Sequence, residues 1–390
     1  MTTDPFTVPL ERLRARTSAK WRHYGPDVLP LWIAEMDVDL ADPIREALER
    51  AVRDGDMGYP GSTPFVESFV DFARRSWAWP DLDAAHVTPV QSVIMGYVDA
   101  ILELTGDGGE VVVNPPVYPP FVSYLRQAGR VIREAPLGEN LRLDLEEIDR
   151  AMAAATSGGR GAAYLLCNPH NPGGAVHTRA ELENVARLAR QHGVTVVSDE
   201  IHAPVIHAGA EFTPYLAVDP TGLALHGASK AWNLASVPAA LLVGGPEAAA
   251  LESYRAGKHH SPGHLGVIAQ TAAYSRGGEW LTGMLAGLER NRYLVRDLVA
   301  DRLPGVTYTV PEGTYLTWLD FGTMLGEDPA AILLEQGRVA LSSGPAFGTG
   351  GVGHARLNIA TSPAILEEAV ARIGIALERT QFAGRSQVSV

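Results

Sequence analysis

The chain has 390 residues and a formal net charge of −13, with 45 acidic side chains against 32 basic ones. Such an acidic surface repels nucleic acid and anionic membranes, so neither is expected as a partner. Hydrophobic residues make up 46% of the chain, enough for a large core, and the length suits one large domain with a smaller one beside it.

Residues 1–20 mix charge with isolated apolar side chains and hold no apolar run of signal-peptide length. No later stretch approaches the length needed to span a bilayer. The segment 89–95 (Pro-Val-Gln-Ser-Val-Ile-Met) is expected to open a helix. Short apolar runs at 110–113, 162–167, 194–198, 223–226 and 239–243 read as strands buried on both faces of a mostly parallel sheet. Between the second and third of these, Thr178 and Glu181 have capping-box spacing. Leu182, Val185, Leu188 and Ala189 form one apolar stripe, and Gly193 stops the helix. This βαβ rhythm predicts an α/β fold. After Trp280 the pattern turns to long helices with a few strands, closing with a helix candidate at 365–377. The expected layout is an N-terminal segment (1–44) joining a small domain, a large domain (45–280), a small C-terminal domain (281–380) and a polar tail (381–390). The one cysteine, Cys167, allows no intrachain disulfide, reads as a small buried hydrophobe, and fits a cytoplasmic setting.

Ligands of open α/β sheets bind beyond the carboxyl ends of the strands. Three strand candidates end there in polar residues: 162–167 runs into Asn168-Pro169-His170-Asn171-Pro172-Gly173-Gly174, 194–198 into Asp199-Glu200-Ile201-His202, and 223–226 into Gly227-Ala228-Ser229-Lys230. An amide, a carboxylate and a lysine thus converge on one sheet edge. Pyridoxal phosphate (PLP) needs that set. Its aldehyde takes a lysine amine, and a buried carboxylate keeps its pyridine nitrogen protonated. An amide serves its phenolic oxygen. Its phosphate suits a helix N-terminus, for which Ser92 and Val93 in the 89–95 segment are candidates. Tyr118, in a proline-rich loop, is the candidate to cover the ring, and His202 to support the network.

The strings at 167–174, 198–202, 228–233, 311–320 and 356–363 resemble those of class I/II aminotransferase-fold enzymes, in order and over nearly the whole chain. The Leu31-Trp32-Ile33-Ala34-Glu35-Met36-Asp37 string, the Tyr118 loop and Ser198-Asp199-Glu200-Ile201-His202 point to the MalY/PatB group of cystathionine β-lyases within that fold type (PLP fold type I). The resemblance implies that Lys230 forms the Schiff base, with Ser229 beside it, that Asp199 pairs with the pyridine nitrogen, that Asn171 binds the phenolic oxygen and that Tyr118 stacks on the ring. It further implies that Arg356 clamps the substrate carboxylate, with Ala34 in the substrate pocket. Tyr59 would reach the phosphate of a neighbouring subunit, which makes a homodimer the expected assembly. Two departures stand out. Many aminotransferases of this fold carry an arginine eight residues after the lysine, where this chain has Pro238, and a Ser or Thr three residues before it, where this chain has Gly227. The missing arginine is a feature of the cystathionine β-lyase group.

The function implied is β-elimination of a thiol from an S-substituted cysteine such as cystathionine, leaving pyruvate and ammonia. The alternative is an aminotransferase, because fold does not fix reaction. A third class, a non-catalytic regulator on this fold, is disfavoured because the resemblance begins near Lys20 and leaves no room for an N-terminal DNA-binding domain. No histidine, including the His259-His260 pair, has trusted metal-ligand spacing. The glycine-rich stretch 348–353 lacks the lysine and strand context of a P-loop and reads as a flexible active-site loop.

Overall fold

The run Ala162-Ala163-Tyr164-Leu165-Leu166-Cys167 has almost nothing to offer water, and every residue of it is buried. Its single polar tip, the Tyr164 hydroxyl, donates to Asn114 Oδ1 at 2.6 Å. It sits mid-sheet in a computed structural model that describes residues 4–61, 63–256 and 261–387, with side chains up to residue 380. The His259-His260 pair lies outside the described residues.

In chain order the strands are β1 (Leu29–Pro30), β2 (Val87–Val90), β3 (Glu110–Val113), β4 (Val131–Glu134), β5 (Ala162–Cys167), β6 (Thr195–Asp199), β7 (Leu223–His226), β8 (Ala240–Gly244), β9 (Thr307–Tyr308), β10 (Leu316–Asp320), β11 (Val339–Ala340), β12 (Ser342–Ser343) and β13 (His354–Asn358). Seven form the main sheet in the order β2-β8-β7-β6-β5-β3-β4. Pairing is parallel from β4 through to β7, whereas β8 runs antiparallel to both β7 and β2. The sheet is therefore mostly parallel, with an antiparallel edge. A second, antiparallel sheet has the order β12-β13-β10-β9, and β1 pairs with β11 in parallel.

Alternation along the strands divides the main core. Tyr164, Leu166, Val196 and Ala224 face one cluster, and Ala163, Leu165, Cys167, Val197 and Leu225 face the other. Cys167, Asp199 and Leu225 lie side by side in register, so Asp199 shares the second face, the one packed by helix Val93–Thr105.

The helix Arg179–His192 has the expected capping box, and it ends at Gly193 with φ +66°, a left-handed conformation that glycine adopts without strain. Elsewhere the structure shifts the expected boundaries. Pro89 and Val90 belong to β2, an edge strand where proline is tolerated, and the helix begins only at Val93 with Ser92 as N-cap. The last helix spans Pro363–Gln387, so helical backbone runs into the segment read as a polar tail. The glycine-rich stretch is seated rather than loose: Val117 N–H donates to Phe347 O at 2.9 Å, and the Cβ positions of Gly348 and Gly350 lie 3.3 and 3.2 Å from Pro115 and Pro116. Among the described residues no helix is long and apolar enough to cross a membrane, and no His/Cys/Asp/Glu group is suited to a metal.

Candidate active site

The parallel order of β5, β6 and β7 puts their carboxyl ends on one edge, and a cavity opens there. Ala34, Ser92, Val93, Tyr118, Asn171, Asp199, His202, Ser229 and Lys230 all line it. Ile94, from the segment expected to face the phosphate, and Pro238, at the position of the missing arginine, also line it, and Cys167, Ile201, Ala235 and Ala239, not expected as site residues, complete the wall. Arg356 lies next to this wall, bonded to Asn171. Tyr59 is not brought here; it is fully exposed.

Each side chain is placed by its backbone. Asn171 sits in a loop packed closely against 311–313: Gly174 has φ +74°, a Cβ there would meet Pro311 Cβ at 2.5 Å, and its carbonyl accepts from Gly313 N–H at 2.8 Å. Asp199 ends β6 and accepts from Ile201 N–H at 3.0 Å. Its neighbour Glu200 turns to the opposite face, where it accepts from Ser198 Oγ at 2.9 Å and Tyr215 N–H at 2.8 Å. The Ser198–His202 string thus divides between two sides of the sheet. Ser92 caps the 13-residue helix by accepting from Met95 N–H at 3.2 Å, with Val93 and Ile94 at the helix mouth. Ala34 is fixed by its carbonyl, which accepts from Tyr315 Oη at 3.2 Å.

Burial sets the charges. It raises Asp199 to about 7, against the Ile201 N–H and the Lys230 charge, which pull it down. It lowers Lys230 to about 8, helped by Arg356 and opposed by Asp199. A lysine at about 8 is partly neutral near neutral pH, as a nucleophile or base must be. His202 is held well below its ordinary value, first by burial and then by Lys230 and Arg356, so its ring is neutral, and its Nδ1 is buried without a partner. Burial also raises Tyr118, which keeps it a phenol.

Arg356 is buried on β13. Nη1 donates to Asn171 Oδ1 at 2.9 Å, and Nη2 donates to Trp32 O at 2.9 Å and Ser342 Oγ at 3.0 Å. Phe347 lies under the guanidinium, 5.1 Å from ring centroid to Cζ. Nε is buried with no partner. Burial lowers the group to about 10, so it stays charged at neutral pH. The Ser342 and Trp32 contacts carry no local signal in the sequence, since they join residues 14 and 324 positions away.

The model of the aminotransferase class I and II family matches residues 61–373, most of the chain. The chain belongs to that family. It is a PLP-dependent enzyme with the PLP transferase fold. A Mycobacterium leprae relative, provisionally named a cystathionine beta-lyase, is 51% identical over 97% of this chain and 99% of its own. Cystathionine beta-lyase PatB of Bacillus subtilis is 32% identical over 94% of this chain and 98% of its own. Among solved structures, a Corynebacterium diphtheriae protein provisionally described as a PLP-dependent beta-cystathionase superposes with TM-score 0.89 at 30% identity, covering 96% of this chain and 99% of that one.

Proposed function

We propose that this family member is a carbon–sulfur β-lyase acting on S-substituted cysteines. The observation that carries the reading is the convergence of a depressed Lys230, a buried Asp199 and the Ser92-capped helix mouth on one cavity, in a chain whose relatives bear the cystathionine beta-lyase name.

The residues present fit PLP. Lys230 supplies the amine for its aldehyde, and Asp199, already buried, supplies the carboxylate for a protonated ring nitrogen. The N–H groups at Val93 and Ile94 and the Ser92 hydroxyl would hold its phosphate at the positive end of the helix. Asn171 gives its oxygen to Arg356, which leaves its NH2 to donate to the phenolic oxygen. Tyr118 and His202 line the same cavity; Tyr118 would cover the ring, and His202, with an unpartnered Nδ1, would support the network. When bound, PLP serves as the electron sink for charge developing at the substrate Cα.

Arg356 would bind the substrate carboxylate through its charge and its unpartnered Nε–H, with a present Nη bond exchanged for the carboxylate to complete a two-bond contact. Lys230, depressed by burial to about 8, would take the Cα proton on its neutral Nζ. Asp199 holds the balancing negative charge in a dry site, where it counts most. Loss of the thiolate from Cβ and hydrolysis then give thiol, pyruvate and ammonia. Ala34, Ile94, Ile201 and Ala235 present apolar surface to the thioether group.

A panel of S-substituted cysteines, cystathionine included, tests the reading by measuring thiol and pyruvate together. Equal amounts of both without any keto-acid acceptor are expected. Amino transfer that needs an acceptor, with no thiol released, would make the protein an aminotransferase.

The working unit is proposed to be a cytoplasmic homodimer. Tyr59, fully exposed, and Met57, 52% exposed, sit together outside the cavity and are suited to a partner subunit. Sedimentation at assay concentration should show dimer, and a fully active monomer would refute it.

A further inference from the structure

The Lys230 loop runs from the end of β7 to the start of β8, and these two strands pair antiparallel. The loop therefore has a base, and one buried side chain closes it. Gln270, with no exposed surface, lies on helix His264–Arg276. Its Oε1 accepts from Ala228 N–H at 2.9 Å, and its Nε2 donates to Ala239 O. Ala228 is two residues before Lys230, and Ala239 is part of the cavity wall. The same helix grips the loop twice more. Gly266 lies so close to the chain before Ala239 that a Cβ would meet Pro238 O at 2.5 Å. Past the helix end, Gly277 O accepts from Trp232 Nε1 at 3.1 Å. Gly227, the unusual residue noted in the sequence, is part of the arrangement: a Cβ there would lie 3.7 Å from Gln270 Oε1 and 3.4 Å from Ala239 O.

We infer that Gln270 is a positioning residue for the reaction, a two-ended amide clamp that sets where the Lys230 amine stands in the cavity. It touches neither substrate nor cofactor. Its two bonds pair a backbone N–H and a backbone C=O of the buried residues Ala228 and Ala239, so losing them loosens the loop base. A loosened loop lets Lys230 tilt and takes up water, and small misplacements of a reacting group are costly. The inference rests on Lys230 being the cofactor lysine.

Two variants of the holoenzyme test it. Gln270→Met keeps the volume and removes both bonds. Gln270→Glu, when protonated, can accept from Ala228 and donate to Ala239 as the amide does, and burial favours that neutral form. Three readouts are taken: kcat and KM, the pH midpoint of the visible absorption of the bound cofactor, and the rate of PLP loss on dialysis. In Gln270→Met we expect kcat down about tenfold or more with KM within about twofold, a moved spectral midpoint and faster PLP loss. In Gln270→Glu we expect near-native behaviour at low pH that decays toward the Met variant as the carboxyl ionises. If Gln270→Met fails to fold, the pH-dependent rescue in Gln270→Glu still decides. A Met variant with native midpoint, PLP loss and kcat, or a Glu variant whose deficit does not change with pH, would reduce Gln270 to packing. Failure of the underlying reading shows separately, as cofactor linked to another lysine in the unaltered protein.

Discussion

Lys230→Ala is expected to remove turnover while leaving a folded protein that binds PLP only noncovalently. Lys230 stands in a loop whose backbone is held by other groups: Trp232 N–H donates to Ala228 O at 3.0 Å, and Leu234 N–H donates to Ser229 O at 2.9 Å. The Lys230 side chain makes none of these bonds. Its removal also takes a cation out of a buried site, where an unpaired charge costs stability. The loop should therefore survive, and the phosphate, ring and phenolic contacts remain. What is lost is the amine that anchors the cofactor and takes the Cα proton. A positioned general base is typically worth about 10²–10⁴-fold, so a fall in kcat of at least about a hundredfold is expected. Pyruvate release and the PLP content after dialysis measure both halves. A variant with more than a tenth of native turnover would remove Lys230 from the mechanism.

Asp199→Asn should hurt chemistry far more than cofactor binding. Asn matches Asp in size and can still accept from Ile201 N–H, so the end of β6 keeps its shape. It cannot supply the charge that keeps a pyridine nitrogen protonated. Groups aimed at developing charge are often worth about 3 kcal/mol, so kcat should fall roughly a hundredfold or more while the protein stays yellow. In the free protein burial raises Asp199 to about 7. A protonated ring nitrogen against the carboxylate favours its charged form and should pull that value down, so PLP should protect the carboxylate from protonation. Arg356→Lys makes the contrast. Lysine keeps the charge and loses the fork, so KM for amino acids should rise more than kcat falls. Steady-state kinetics on the two variants separate these patterns. Near-normal kcat in Asp199→Asn would mean that the carboxylate is not the ring-nitrogen partner.

Much of this site was legible because its signals are local. A run such as 162–167 is short, apolar and bounded by Asn-Pro, and β5 spans those same residues. The expected 194–198 and 239–243 strands lie one residue away from β6 and β8. Once β5, β6 and β7 are parallel neighbours, the residues following them must meet, so a chain-order reading was enough to gather Asn171, Asp199 and Lys230. The Thr178–Glu181 capping box is likewise a contact between near neighbours.

What the sequence hid depends on distant pairing. Nothing near Gln270 announces that it bridges Ala228 and Ala239, 42 and 31 residues away. Asn233 Oδ1 accepts from Met36 N–H at 2.8 Å across 197 residues, tying the Lys230 loop to the segment that carries Ala34. The antiparallel pairing of β8 with β2 could not be read, because an apolar run such as 239–243 carries no direction and Val87–Val90 was not among the expected strands. The glycine-rich stretch suggested looseness, whereas Gly348 and Gly350, at positive φ, lie against Pro115 and Pro116, and Gly353, also at positive φ, lies against Gly322. Tyr59 belongs to a different class: its expected role concerns a second subunit, and within one chain it simply faces outward.

The most direct test of the central claim is borohydride reduction of the yellow holoenzyme, followed by proteolysis and mass mapping of the labelled peptide. Reduction fixes the cofactor to whichever amine holds it. The account predicts a single pyridoxyl label, on the peptide containing Ala228-Ser229-Lys230, and none in Lys230→Ala. A label on any other lysine would contradict it and would place the cofactor away from this cavity.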